Sequence, residues 1–467
     1  MMTNSEYISF IRGKSIVHGD VGFTISKDEL SPMLFEFQKD IVRWALAKGR
    51  AALFTATGTG KTLMQCEWAK HVHAQTRGSI LIVAPLAVCH QTKDMAANIG
   101  LDITVCRSQN DVVRGVNITN YEMLHKFNAD SFDGIVLDES SILKNYSGAT
   151  RNMIIDMFGA TPYRLACTAT PAPNDFMELG NHSEFLGVMT RTEMLSMFFV
   201  HDGGDTSQWR LKGHAAQDYW AWIASWAVVL TMPHDLGYED DGFALPPLNI
   251  HHVEIPSALP ADGMLFAMPA ETLMERKQAR ASTTSDRVTK CSEIVNAADG
   301  PFLVWCGLNR ESEMLSRLIT DAVEIKGADS TDHKESSMLG FSRGDIRVLV
   351  TKPSIAGFGM NWQHCSNVAF VGLSDSFEEY YQAVRRCWRF GQKNQVNVYI
   401  ITSELEGAVV ENIKRKERDA ERLVSEMVVH TQYIVSENIK KTTRSDSSYA
   451  PTDDILTPEW LNADNSD

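Results

Sequence analysis

The stretch Ala51 to Trp68, AALFTATGTGKTLMQCEW, decides how the rest of the chain is read. Ala51 to Phe54 is an apolar run of strand length. It feeds a loop of threonines and glycines that ends in Gly60-Lys61-Thr62, and a helical pattern (Leu63, Cys66, Trp68, Ala69) opens behind it. Strand, loop and helix N-terminus in that order make a phosphate cradle. Backbone N–H groups from Thr57, Gly58, Thr59 and Gly60 can close on phosphate oxygens. Lys61 can reach the β and γ phosphates, and the Thr62 hydroxyl can ligate Mg²⁺. The loop departs from the general pattern at its start, where Thr55 stands in place of the usual first glycine.

A chain of 467 residues is too long for one core and fits two or three domains. Hydrophobic content of 44% and charged content of 22% suit a globular protein. No apolar run is long enough to cross a bilayer, and the N-terminus lacks a signal-like apolar segment. The eight cysteines stand singly, with no C-x-x-C pair, so neither a zinc site nor a disulfide framework is expected, and a reducing cytoplasm is. The formal charge of −15 excludes a broad basic face but not a narrow nucleic-acid groove. Two local basic runs, ERKQAR with Arg287 and Lys290 beyond it, and NIKRKERDAER, read equally well as solvated helix faces.

Working outward from the loop, residues 36 to 171 alternate helix with short β-branched runs: AALF, SILIVAPL, DITVC, GVNITNY, DGIVLDES and YRLACTATP. This is the pattern of a buried parallel sheet. From Asn174 to about Leu230 the chain turns helical and rich in Met, Phe and Trp, a composition that reads as core. TMPHDLGYEDDGFALPPLN then reads as a linker, and the alternation restarts with IHHVEI, PFLVWCG, AVEIKG, IRVLVTK, NVAFVGL and VNVYIIT. The expected division is an N-terminal segment 1–30, an α/β domain 31–230 carrying a helical protrusion 174–230, a linker 231–247, a second α/β domain 248–427 and a polar, loosely ordered tail 428–467.

Two further motifs carry chemistry. GIVLDESS puts Asp138 and Glu139 at the end of an apolar strand. Asp138 is expected to hold Mg²⁺, and Glu139 to orient and deprotonate an attacking water. In the second α/β unit, YYQAVRRCWRFGQKNQ crowds Arg385, Arg386 and Arg389 onto one helical stretch with Gln382. Like charges so placed suit a site facing a triphosphate, where an arginine beside the γ phosphate stabilises the transition state. Such a role requires the second domain to close on the first.

With these residues in place the chain resembles a superfamily-two DEAD/DEAH-box helicase-like ATPase of the Swi/Snf branch, and most of all the compact type found in phages and prophages. The resemblance runs in order over roughly residues 30 to 425. LFEFQKDIVRWAL is similar to the adenine-reading element, with Gln38 preceded by the aromatic Phe37. TATGTGKT resembles motif I, LIVAPLAVCHQ motif Ia, ITNYE motif Ib, LDESS motif II and CTATP motif III. FLVWCGLNRESEMLSRLI resembles motif IV, the segment through IAGFGMNW motif V, and YQAVRRCWRFGQ motif VI with Gln382, Arg386 and Arg389. Motif II lacks the aromatic or His usual at its fourth place.

The resemblance implies two tandem RecA-like domains that bind ATP and Mg²⁺ in their cleft. It implies cofactor contacts from Gln38, the loop Thr57 to Thr62 and Gly359, and catalytic roles for Lys61, Glu139, Gln382, Arg386 and Arg389. The expected activity is ATP-dependent translocation on DNA, duplex favoured, with backbone contacts from Thr119, Asn120 and Lys352. Alternatives are a fork-unwinding or branch-migrating helicase, an RNA-directed enzyme, or a nucleotide-gated interaction protein without motor activity. A monomer in the cytoplasm, that of a bacterial host if phage-encoded, is expected, with phage or host replication and recombination proteins as candidate partners.

Overall fold

Most strands of the first sheet are short and apolar on both sides, so both of its faces must be covered, and helices cover them. The computed structural model describes residues 19–145, 147–202, 205–240, 242–256, 280–356 and 360–443. Helix α1 (Glu36–Lys48) buries Phe37, Ile41, Trp44 and Ala45 on one stripe and stops at Gly49, whose φ of 68° lets its N–H return to Ala45 and Leu46 carbonyls. Then follow β1 (Arg50–Thr55), α2 (Lys61–Thr76), β2 (Ile80–Ala84), α3 (Cys89–Ala97), β3 (Ile103–Val105), β4 (Val116–Asn120), β5 (Gly134–Asp138), α4 (Ala149–Phe158) and β6 (Tyr163–Thr168).

The stretch expected to be a helical protrusion contains more than helix. It holds α5 (Leu179–Leu186), α6 (Arg191–Phe198), a hairpin β7 (Phe199–Asp202) and β8 (Asp205–Leu211), and α7 (Ala216–Trp226). Its last residues, β9 (Ala227–Leu230), return to the sheet beside β1. The helical reading of AVVL is thereby corrected, since two β-branched residues next to a free sheet edge favour pairing over another helical turn. The first sheet is parallel throughout, in the order β3-β4-β2-β5-β6-β1-β9. Leu53, Ile82 and Val136 point to one face with α1 and α2, and Phe54, Leu81 and Leu137 to the other with α5 and α7.

The second unit repeats the scheme with β10 (Leu248–Ile255), α8 (Thr284–Asn296), β11 (Phe302–Cys306), α9 (Asn309–Leu318), β12 (Ala322–Glu324), α10 (Thr331–Arg343), β13 (Val348–Thr351), the one-turn α11 (Pro353–Ala356), β14 (Asn367–Val371), α12 (Phe377–Val384) and β15 (Val396–Ser403). Its parallel order is β10-β15-β14-β11-β13-β12. Two tandem RecA-like lobes result. No helix among the described residues is long and apolar enough to cross a membrane.

Two expectations change. Residues 428–443 are not a loose tail: they continue α13 (Gly407–Thr443), a helix of 37 residues. Val409 and Ile413 pack into the second lobe, while Met427, Val428, Val435 and Ile439 pack into the first. A polar-looking sequence hides this because only every third or fourth side chain is apolar. Residues 444–467 of the expected tail, and residues 1–18, lie outside the described residues. Arg287 belongs to no solvated basic face either. It is fully buried, pairing with Glu311 at 2.8 Å and Glu406 at 3.3 Å. A buried charge persists only when so matched.

Candidate active site

The phosphate loop is held open by glycines at two points where no side chain fits. Gly58 (φ +100°) and Gly60 (φ +88°) are both left-handed. A carbon added to Gly60 would sit 2.2 Å from Gln38 Nε2, and one added to Gly58 would come within 3.0 Å of the Phe390 backbone nitrogen. The second contact comes from the other lobe. Gln38 donates from Nε2 to the Thr59 carbonyl (2.7 Å) and accepts from the Phe35 N–H (2.9 Å), so it ties α1 to the loop. Thr59 Oγ1 bonds Thr55 Oγ1 and the Ala56 carbonyl, both at 2.8 Å. Thr55 thus supports the loop from the place usually left to glycine. Lys61 Nζ donates to the Thr55 carbonyl at 2.6 Å. Desolvation pushes this amine below its ordinary range, the carboxylates of Glu139 and Asp138 hold it up, and Arg389 opposes them. Thr62 occupies the first turn of α2.

Asp138 ends β5, two strands from the loop, with its backbone carbonyl fixed by the Tyr121 hydroxyl at 2.7 Å. Burial, then the neighbouring Glu139 charge, push the Asp138 carboxyl up to about 7, while the facing Gln65 amide and Lys61 pull it down. Glu139 has φ 57° and ψ 54°, a left-handed backbone that costs a non-glycine residue energy, and its Oε2 is buried without a partner. Two crowded carboxylates, one with a bare oxygen, and the Thr62 hydroxyl in the first turn of α2 are hard-oxygen donors of the kind that suits Mg²⁺. These residues therefore fit the expected ion.

From the second lobe, α12 and the turn after it deliver the arginines. Arg386 donates through Nε to the Gln382 carbonyl (2.9 Å) and through Nη2 to Gln382 Oε1 (2.8 Å). Gln382 is fully buried and so orients Arg386 directly. Both Arg386 and Arg389 approach the Met360 carbonyl at 3.4 Å. Burial lowers Arg386 against the pull of Glu139, and burial plus the Arg386 charge lower Arg389 to about 9. Two guanidinium groups pressed together beside buried carboxylates leave a cleft that is electrostatically complete only with an anion. Five expected groups from distant sequence, Lys61, Asp138, Glu139, Arg386 and Arg389, therefore meet where the lobes face each other.

Two sequence families match the chain in the same order as these groups. Residues 32–173, with the loop and both carboxylates, match the family described as type III restriction enzyme, res subunit, and residues 286–391, with Gln382 and both arginines, match the helicase conserved C-terminal domain. The chain is a superfamily-two helicase-like ATPase. Among solved structures, a fragment of an HsdR subunit assigned to a type I restriction enzyme of Vibrio vulnificus is 16% identical with a TM-score of 0.52, covering 84% of this chain and 68% of that one. The SWI2/SNF2 ATPase core of Sulfolobus solfataricus, solved with double-stranded DNA, is 16% identical with a TM-score of 0.41, covering 88% and 97%. No curated protein sequence matches the chain significantly.

Among the described residues of the ATPase, two sizeable cavities lie between the lobes. One, about 700 Å³, borders Thr57, Gly58 and Thr59 and is walled by Arg385, Trp388, Phe390 and the middle of α13. That volume is in the range of small-ligand sites. At the loop's edge the aromatic next to Gln38 is not the expected one. Phe37 is 3% exposed and belongs to the core, whereas Phe35 is 45% exposed and meets Phe243 and Phe390 at ring distances of 5.1 and 6.2 Å. The helix starts at Glu36, which turns Phe37 inward and leaves Phe35 at the mouth.

The other cavity, about 830 Å³, gathers the segments after β2 and β4 with α10 and α11. Asn120 lines it, its Oδ1 capping the Met123 N–H at 3.0 Å. Thr119 does not reach it. It is 1% exposed in β4, a strand buried on both faces because both sides of the sheet are covered, and a DNA contact by its side chain is corrected. Lys352 lines a separate hollow with Arg280 and bonds Asn309 Oδ1 at 2.6 Å. Gly359 lies outside the described residues.

A histidine of α5 does reach motif II, at its third residue rather than its fourth. His182 Nε2 shares a hydrogen bond with Ser140 Oγ at 3.1 Å, and burial holds this imidazole neutral by lowering it to about 4. No sequence spacing points to His182, since 42 residues separate it from Ser140.

Proposed function

We propose that the chain is a DNA-dependent ATPase that converts ATP hydrolysis in the interlobe cleft into movement along DNA, duplex DNA in particular. The observation that carries this reading is the meeting of Lys61, Asp138 and Glu139 of one lobe with Arg386 and Arg389 of the other, because a site split between lobes ties hydrolysis to their relative motion.

In this reading backbone N–H groups of Thr57 to Gly60 and the Lys61 amine hold the β and γ phosphates, and Gln38 keeps the loop in register with α1. Thr62 and Asp138 would hold Mg²⁺, which when bound neutralises phosphate charge. Glu139 takes the proton of the water that attacks the γ phosphorus, ADP leaves with the electron pair of the broken bond, and Arg389 with Arg386 offsets the charge spreading over the phosphoryl oxygens. Gln382 holds Arg386 for that task.

Support for DNA as the track comes from the family description, which names a restriction-enzyme subunit. We assign the nucleic acid to the larger cavity because Asn120, of the three expected contact residues, lines it. Its charged lining is mostly acidic, with Asp94, Glu122, Glu139, Glu335 and Glu378 against His90, Lys144 and Lys334. Those carboxylates repel phosphates, so a backbone can touch this lining at few points and the footprint is small. The test is ATP turnover with duplex, single-stranded and forked DNA and with RNA, at several salt concentrations. Duplex stimulation with a log–log salt slope of only a few times −0.9 is expected. Stimulation by single strands alone, with unwinding of a tailed duplex, would favour the strand-separating alternative. Absence of stimulation by any nucleic acid would favour the nucleotide-gated interaction protein.

A further inference from the structure

The two segments that bring catalytic groups together are joined directly by a contact that the hydrolytic roles above do not use. Lys144 closes the short helical turn Ser140–Lys144 that follows Asp138 and Glu139 without a break. Glu378 stands in the first turn of α12, the helix that carries Gln382 and leads into Arg386 and Arg389. Their side chains form an ion pair across the lobes, with the Glu378 side chain only 10% exposed and that of Lys144 38% exposed. A second pair across the cleft, His90 with Glu335 at 3.7 Å, has side chains 54% and 37% exposed, so solvent screens it far more.

Both ends of the Lys144 contact are stiff. Behind Lys144, the Asn181 amide of α5 donates to the Lys144 carbonyl at 3.1 Å, and His182 of the same helix holds Ser140. At the other end, Ser376 caps α12 by accepting the Glu379 N–H at 3.3 Å, and Ser374 Oγ donates to Glu379 Oε2 at 2.8 Å. A displacement at the pair is therefore passed along rigid pieces rather than absorbed by loops. Only a few residues separate Lys144 from Glu139, and two helical turns separate Glu378 from Arg386.

We propose that Lys144 and Glu378 form an interlobe clasp that sets Arg386 and Arg389 in register with Asp138 and Glu139, acting as a positioning pair for hydrolysis. The proposal rests on the ATPase roles given above. Nucleotide is held chiefly by the phosphate loop of the first lobe, so loss of the clasp leaves binding in place. It loosens the arginines, whose contribution is made in the transition state, and a small misplacement there lowers turnover rather than affinity. Glu178 and Glu379 also face Lys144 and hold its charge against burial, so the variants at Lys144 are the sharper ones.

The experiment measures ATP turnover and binding of a fluorescent ATP analogue by the full chain carrying Lys144→Met, Lys144→Arg, Glu378→Gln, or Lys144→Glu combined with Glu378→Lys. Lys144→Met should lower kcat about tenfold and Glu378→Gln about fivefold, each with analogue affinity within about twofold. The arginine variant and the exchanged pair should recover to within about threefold of the parent, which a merely structural role would not produce. Full turnover by Lys144→Met, or an exchanged pair no better than the worse single variant, would overturn the clasp. A second readout needs no turnover. All eight native cysteines are buried, whereas positions 144 and 378 both line the larger interlobe cavity, so Lys144→Cys with Glu378→Cys offers a facing thiol pair that a short bifunctional reagent reaches through that cavity. Failure to cross-link overturns the clasp, whereas a parent chain that leaves ATP intact while this variant cross-links overturns the ATPase roles instead.

Discussion

Asp138→Asn should make the nucleotide-free protein more stable while abolishing turnover. The Asp138 carboxyl is pushed from its ordinary 3.8 to about 7 by burial and by Glu139. At about 1.4 kcal/mol per unit, three units amount to about 4 kcal/mol, and because Glu139 shares the repulsion, about 2 to 4 kcal/mol is the expected gain. The sign follows from the raised value. The cost of ionising a buried carboxylate is absent below its ordinary range, grows as pH rises towards the folded value, and is complete above it. Asparagine keeps the shape and carries no charge. Urea unfolding without divalent cation, followed by the buried Trp44, Trp68, Trp222 and Trp226 of the first lobe, reads the difference. The variant should exceed the parent at a pH of about 8, with the gap closing towards a pH of about 5. A variant less stable than the parent at the higher pH, or a gap independent of pH, would refute the electrostatic account of the cleft.

Lys61→Ala should abolish nucleotide binding or turnover, checked by fluorescent-analogue titration and phosphate release, because the loop TATGTGKT itself holds no other cation. Glu139→Gln should still bind ATP and fail to hydrolyse it, since shape is kept and the base is lost. A variant unable to bind nucleotide would show that the role given to Glu139 is wrong.

The parallel sheets and the phosphate loop were legible because each rests on local chemistry: β-branched runs, glycines at left-handed positions, an acid pair at a strand end. Gln38, Lys61, Asp138, Glu139, Gln382, Arg386 and Arg389 stand in or beside the cleft for the same reason, as each lies in a short ordered motif. What escaped depends on packing between distant segments. Phe37 and Phe35 look equivalent until the start of α1 decides which faces inward. Met427 to Ile439 look like part of a polar tail until the first lobe is there to receive them. Arg287 looks like a surface charge until Glu311 and Glu406 arrive from elsewhere. His182 carries no motif, and Lys144 and Glu378 are 234 residues apart. Thr119 failed for a simpler reason, since a strand covered on both faces buries its side chains whichever way they point.

The central claim is that one hydrolytic site is built from both lobes, and Arg389→Ala tests it most directly. ATP affinity and kcat are measured on the same preparation, with the DNA that stimulates the parent most. The account predicts that kcat falls by orders of magnitude while ATP affinity stays within about tenfold, because the arginine acts mainly on the transition state. Turnover at the parent rate would contradict it, as it would place hydrolysis within the first lobe alone.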